Sequence, residues 1–370
     1  MFRSGLANLP LHGGKAPPWL IAKMIELGKA VFSVIVLEYG EEEILRRLSD
    51  PFWFQCLACV LGYDWHSSGT TTVTLGVLKS FLNPAEHGLV VVGGKGIVSR
   101  RVPDEIDKIS ASLNLSEADV KRLKRISRLT AKVDNAAIQD GFQLYHHSMI
   151  ISRKKWVVIQ QGMDKINLYA RRYHWFSDHS KNLIVEPHTG IVSDIIRDQV
   201  LDMCAKESDE CRRTSLDLVK DNPRHLKKIF NSLKDPAQKS LTDSFNLTRR
   251  IPILDMPTRI DWDALNRAYE LQPDCYEDLL LVQGVGPAAV RALALISQLI
   301  WGASPSWRDP AKFSFAHGGK DGVPYPVNRK IMEKTTQFLT SVVQEAKINR
   351  KDKMNMLKRL SDFIKPVVER

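Results

Sequence analysis

Phe142-Gln143-Leu144-Tyr145-His146-His147-Ser148-Met149-Ile150-Ile151 and, after a polar stretch at 152–155, Trp156-Val157-Val158-Ile159-Gln160-Gln161 decide the fold class. Both runs are short and rich in aromatic and β-branched residues, and the polar break between them fits a turn. Together they predict a β-hairpin. Outward from it the chain reads as helical. Pro17-Pro18 opens a helix toward Gly28, and a second run ends near Gly40. Short helices are expected at 41–48, 52–62 and 73–82, then a strand at 89–92 closed by Gly93-Gly94-Lys95-Gly96. Helices follow at 103–113 and 116–133, the latter capped by Ser116 with Asp119. Residues 195–205 also read as helical, as does the chain from 261 onward apart from a Gly/Pro-rich loop at 303–326. The expected fold is mainly α with a central β-rich segment (α+β), ending in an all-α region. Polar residues and four prolines between 211 and 257 suggest a junction. That divides the chain into an α+β domain at 1–215, a linker at 216–260 and a helical domain at 261–370.

The 370 residues carry 53 Lys and Arg against 42 Asp and Glu, a net +11. A cationic surplus favours polyanionic partners, because each phosphate contacted releases counterions. No stretch approaches the roughly 20 apolar residues of a membrane span. Residues 1–18 lack the apolar segment of a secretion signal, so a cytoplasmic protein is expected and no membrane partner. Five cysteines, with no second CxxC beside Cys56 and Cys59, suit neither a disulfide framework nor a zinc cluster.

Leu279-Leu280-Leu281-Val282-Gln283-Gly284-Val285-Gly286-Pro287-Ala288-Ala289-Val290 carries the clearest functional signal. The segment resembles a helix-hairpin-helix motif. Gly284 and Gly286 permit a tight reversal, Val285 anchors its tip, and Pro287 suits the first turn of a second helix. Exposed amides at such a bend bind the phosphate backbone of nucleic acid, DNA above all, without reading sequence. Ala288 stands where many such hairpins have lysine; Arg291, one turn on, is the substitute cation. A second basic feature lies at Lys121, Arg125, Arg128 and Lys132, whose spacing puts them on one helical face; residues 121–132 contain six cations and no acid.

Groups suited to chemistry concentrate in the middle of the chain. Asp140 precedes the hairpin, and even spacing puts His146 rather than His147 on its face of the strand. Arg172 and His174 follow shortly. Asp64 and His66, in a Ser/Thr-rich loop, form a second pair. A carboxylate and a histidine around Mg²⁺ or Mn²⁺, with Asp140 and His146 as ligands and arginine stabilising developing charge, would suit phosphodiester hydrolysis. The expectation is therefore a DNA-repair or DNA-processing protein, with a metal-dependent nuclease as its sharpest form.

Leu11-His12-Gly13-Gly14-Lys15, Ile138-Gln139-Asp140-Gly141-Phe142, Tyr145-His146-His147, Val158-Ile159-Gln160-Gln161-Gly162-Met163 and Ala170-Arg171-Arg172-Tyr173-His174-Trp175 are distinctive. With Tyr63-Asp64-Trp65-His66-Ser67-Ser68-Gly69, they resemble a prokaryotic family catalogued as domain of unknown function 763. The resemblance implies a shared fold over most of residues 1–340 and supplies no reaction. Two alternatives stand beside the nuclease. One is a helix-hairpin-helix glycosylase, in which Asp309, 23 residues beyond Gly286, would be the catalytic carboxylate. The glycine-rich surroundings and Asn328, where a carboxylate would be wanted, depart from that pattern. The other is a non-catalytic DNA-binding scaffold.

Overall fold

A computed structural model describes residues 16–62, 68–164, 166–167, 169–193, 196–233 and 256–311. Its centre is a five-stranded antiparallel sheet in the order β1-β3-β4-β5-β6. The strands are β1 (Val90–Lys95), β3 (Gln143–Ile151), β4 (Trp156–Asp164), β5 (Tyr169–Phe176) and β6 (His188–Val192). A two-stranded ribbon joins β2 (Ile138–Gln139) to β7 (Leu201–Asp202). The chain is thus a mixed helix-and-sheet protein.

Both faces of the sheet are buried. Val91, Ile150, Val157, Ile159 and Phe176 point into a core shared with α1 (Pro18–Tyr39), α2 (Glu41–Leu48), α3 (Pro51–Val60) and α4 (Ser68–Phe81). A short α5 (Pro84–His87) leads into β1. On the opposite face Val92, Met149, Ile151, Val158, Tyr173 and Trp175 join a second core. That core is completed by α6 (Val102–Ile109), α7 (Glu117–Lys132), α8 (Asp209–Lys220), α9 (Pro223–Leu233), α10 (Trp262–Leu271), α11 (Tyr276–Leu281) and α12 (Pro287–Trp301). Sandwiching explains why the strands read as near-continuous apolar runs.

Local chemistry accounts for the elements that matter here. In α7 the Ser116 hydroxyl accepts from Asp119 N at 3.1 Å while the Asp119 carboxylate accepts from Ser116 N, a capping box. Leu123, Ile126 and Leu129 bury one face and leave the cations outside. The helix closes in a single π turn, Val133–Ala137, which carries Asp134 inward.

Several expectations are corrected. Helix α1 runs unbroken through Gly28, which serves close approach rather than termination: a Cβ there would lie 2.7 Å from Cε1 of Phe81. The segment from Ile196 to Ala205 is not helical. Its main chain pairs with distant partners, Val200 N with Trp307 O at 3.0 Å and Met203 N with Ala137 O at 2.9 Å. A boundary at residue 215 would fall inside α8, where Ser215 Oγ sits 3.4 Å from Ser297 Oγ of α12. Residues on both sides of 216–260 share one core. Among the described residues no helix is long and apolar enough to cross a membrane.

Candidate nucleic-acid interface and a buried polar network

Helices α11 and α12 are joined by a tight bend at residues 282–286. Gly284 adopts φ +90°, and a Cβ there would meet Asp261 Oδ2 at 2.6 Å and Ala264 Cβ and Arg267 Nη2 at 2.7 Å. Both the conformation and the space require glycine. Val285 is fully buried as the anchor of the bend, whereas Gln283, Gly284 and Pro287 are exposed. Gly286 is extended, at φ −136°, and Pro287 begins α12. Val285 N donates to Val282 O. Among the described residues the amides of Gly284 and Gly286 meet no acceptor. Arg267 donates to Gln283 O at 2.9 Å and Gln139 to Pro287 O at 2.8 Å, so the bend is held by its carbonyls.

The basic face of α7 lies against this element. Arg125 binds Glu277 at 3.1 Å and Asp278 at 3.0 Å in the first turn of α11, and Lys132 Nζ donates to Val285 O. Burial pulls the Lys132 ammonium below its ordinary range. Lys121 and Arg128 are exposed, with no carboxylate partner among the described residues. Arg291 lies half-buried on α12, in the turn after Pro287. Of the four stripe cations, two therefore tie the bend to α7 and two face solvent.

The chemical residues of the middle segment do not converge as expected. Tyr145 is an extra residue between the pairs Leu144↔Gly162 and His146↔Gln161. Such a bulge puts two consecutive side chains opposite one partner and inverts the parity beyond it. Asp140, moreover, lies before the strand, with Gly141 at φ +85° between them. His146 consequently faces the α1–α4 side with Tyr145 and Gln161, and His147 faces the side of Asp140. Asp140 and His146 cannot be ligands of one ion. Arg172 and His174 share the side of His146. Arg172 reaches Thr71 Oγ1 at 3.3 Å and Gln55 Oε1 at 3.4 Å, and His174 Nδ1 lies 3.1 Å from Leu48 O. Asp64 and His66 lie outside the described residues. No group of three or more His, Cys, Asp or Glu among the described residues is arranged to hold a metal.

Burial drives the histidines toward the neutral form: His146 down to about 3, His147 down to about 4, and His174 well below its usual range. His146 Nδ1 and His174 Nε2 are buried without a hydrogen-bond partner.

Asp140 belongs instead to a closed ion cluster. Its carboxylate accepts from Tyr173 OH at 2.6 Å and from Arg171 Nη1 at 3.0 Å. Arg171 also grips Asp309 through both terminal nitrogens, at 2.9 and 2.7 Å. Asp309 accepts further from Arg197 N and Ala311 N. Burial by itself would depress the Arg171 guanidinium, but Asp140 and Asp309 more than offset it and keep it charged.

A second network is built on Asp134. Asp134 Oδ1 lies 2.5 Å from His188 Nε2, and its Oδ2 accepts from Trp175 Nε1 at 2.9 Å and from Gln160 Nε2. Gln160 Oε1 meets His147 Nδ1 at 2.8 Å, and His147 Nε2 meets Ser127 Oγ of α7 at 2.8 Å. Asp134 and His188 are 54 positions apart, with no motif linking them. The only sequence signal was an aspartate directly after an apolar helix end. A family model described as "Protein of unknown function (DUF763)" matches residues 5–327. The chain belongs to this family. The DUF763 match takes in the sheet, both polar networks and the α11–α12 bend. No curated protein and no solved structure matches the chain.

Proposed function

We propose that this DUF763 protein binds nucleic acid, DNA in the first instance, through its phosphate backbone at the 282–287 bend and along the exposed cations of α7. One observation carries the reading: a bend with two amides that meet no acceptor among the described residues is fastened by Lys132 to a helix whose Arg128, one turn earlier, is exposed and has no carboxylate partner among those residues. In this reading α11, the bend and α12 act as a helix-hairpin-helix. The amides and the positive end of α12 receive one phosphate, and Arg128 and Lys121 follow the strand. The nearby acids are compensated in advance, Glu277 and Asp278 by Arg125, and Asp261 by Arg267 at 3.7 Å. Fluorescence anisotropy of a labelled duplex tests it: Lys121→Glu with Arg128→Glu should abolish binding by a chain that remains folded, and unchanged affinity would end the proposal.

A second reading, processing of the bound strand, is favoured by the Asp134–His188 pair. A buried carboxylate that fixes the proton on Nε2 leaves Nδ1 of His188 as a base, the orienter-and-base arrangement of acid–base catalysis. In this reading the reactive group is His188 rather than Asp140. Dependence on Mg²⁺ or Mn²⁺ would then need ligands other than the Asp140 and His146 pair. For the glycosylase alternative, Asp309 is a poor candidate, because its oxygens are already occupied by Arg171, Arg197 N and Ala311 N.

A further inference from the structure

The segment Gly94–Arg101 ends β1 and forms a 3₁₀ turn, Gly96–Arg101, at the sheet edge. Gly93 fixes its departure: a Cβ there would fall 2.2 Å from His147 O and 2.7 Å from Val102 Cγ2. The turn then stands clear of the core, and none of its residues is buried. Ile97 is 73% exposed and Val98 37%. Around them stand three exposed cations, Lys95, Arg100 and Arg101, none with a carboxylate partner among the described residues. Among the described residues Lys95 makes a cation–π contact alone, 5.9 Å from the Tyr145 ring centre. The adjoining acids of α6 are spent elsewhere, Glu105 on Lys79 at 2.7 Å and Asp107 on Lys124 at 2.6 Å; of the acids of α6 only Asp104 has no ion-pair partner among the described residues.

Single exposed aliphatic residues need no explanation; here two adjacent ones stand beside three cations that have no carboxylate partner among the described residues. The position of the turn adds to the case. Asp107, near the end of α6, meets Lys124 of α7, while Val102, at the start of α6, lies at Gly93 beside His147, whose ring meets Ser127 further along α7. Arg101, six residues before Asp107, therefore lies toward the end of α7, where Arg128 and Lys132 are.

We propose that the 95–101 turn is a second contact on duplex DNA, in which Lys95, Arg100 and Arg101 take phosphates and Ile97 is pressed into a groove as an apolar wedge. The proposal rests on the nucleic-acid reading above and extends it from backbone binding to deformation of the duplex. Wedges of this kind, an aliphatic side chain flanked by cations, partly unstack a base step and kink the helix. The bend and α7 hold one strand, and the turn levers the duplex beside it.

The test uses the full chain and a duplex of about 25 base pairs with a donor and acceptor at its ends and 2-aminopurine inside. Wild type should raise both energy transfer and 2-aminopurine fluorescence. Ile97→Ala, compared with wild type at saturating protein, should lose both signals, because the wedge and not the phosphate contacts deforms the duplex. Arg100→Ala with Arg101→Ala should weaken binding about tenfold at about 50 mM salt. An unchanged 2-aminopurine signal in Ile97→Ala overturns the wedge whatever the arginines do. If Lys121→Glu with Arg128→Glu still abolishes binding, the nucleic-acid reading survives that failure. No duplex binding by wild type removes both. Arginine-dependent binding to phosphatidylserine vesicles without duplex binding assigns the turn to a membrane surface and also overturns the proposal.

Discussion

Lys132, in the last turn of α7, donates through Nζ to the main-chain carbonyl of Val285 at the tip of the α11–α12 bend. Two features 153 positions apart thereby become one surface. Lys132→Met removes the donor and keeps most of the packing. It should cost about 1–3 kcal/mol and speed amide exchange at 282–287 without unfolding the sheet. Hydrogen exchange confined to wild-type rates in the bend would refute this coupling.

Arg171 bridges Asp140 and Asp309 inside the protein, with all three side chains essentially inaccessible. Asp309→Asn removes one counter-charge and should destabilise by about 3–5 kcal/mol, far beyond an exposed pair. Chemical unfolding measures this. A stable Asp309→Asn protein that had lost release of damaged bases would restore Asp309 as a glycosylase carboxylate.

Stability should fall on acidification. His146, His147 and His174 are held neutral, so between the usual histidine range and about 4 the unfolded chain binds more protons than the folded one. Asp202 acts in the opposite sense. Burial raises its carboxyl to about 6, so the folded state binds the extra proton between the usual aspartate range and pH 6. His87, also lowered by burial, acts with the three rings, and Asp50 and Asp140, also raised by burial, act with Asp202; the four histidines outweigh the three carboxyls. The urea midpoint should be lower at pH 5 than at pH 7.5, and an equal or higher midpoint at pH 5 would contradict the burial of these rings.

His188→Gln separates the processing reading from simple binding. The amide keeps a donor for Asp134 but offers no base. If the second reading holds, duplex affinity is retained while any strand processing falls by about 10²–10⁴-fold. Processing at wild-type rate in His188→Gln would exclude His188 as the base.

Much of the fold is legible because its signals are local. The Ser116–Asp119 capping box, the apolar face of α7, the 142–161 hairpin and the glycine bend before Pro287 each depend on residues close in sequence. What escaped depends on distant partners. Gly28 looks like a helix stop until Phe81 is seen against it. Residues 195–205 read as helical, but from 196 onward Ser306 and Trp307 supply the backbone partners instead. The candidate site failed at Tyr145, because a bulge has no composition of its own and one extra residue inverts every face assignment that follows. Asp134 and His188 were silent for the same reason: their pairing is made by a π turn and by an edge strand.

In the proposed interface the amides of exposed Gly284 and half-buried Gly286, with Arg128 and Lys121, hold nucleic acid by its phosphates. The most direct measurement is the salt dependence of duplex affinity for wild type and for Lys121→Ala with Arg128→Ala. Wild type should bind unrelated duplexes with similar affinity and weaken steeply with salt, and the variant should show a slope shallower by about 2. Identical slopes for the two proteins, or no duplex binding at low salt, would rule out phosphate binding at this surface.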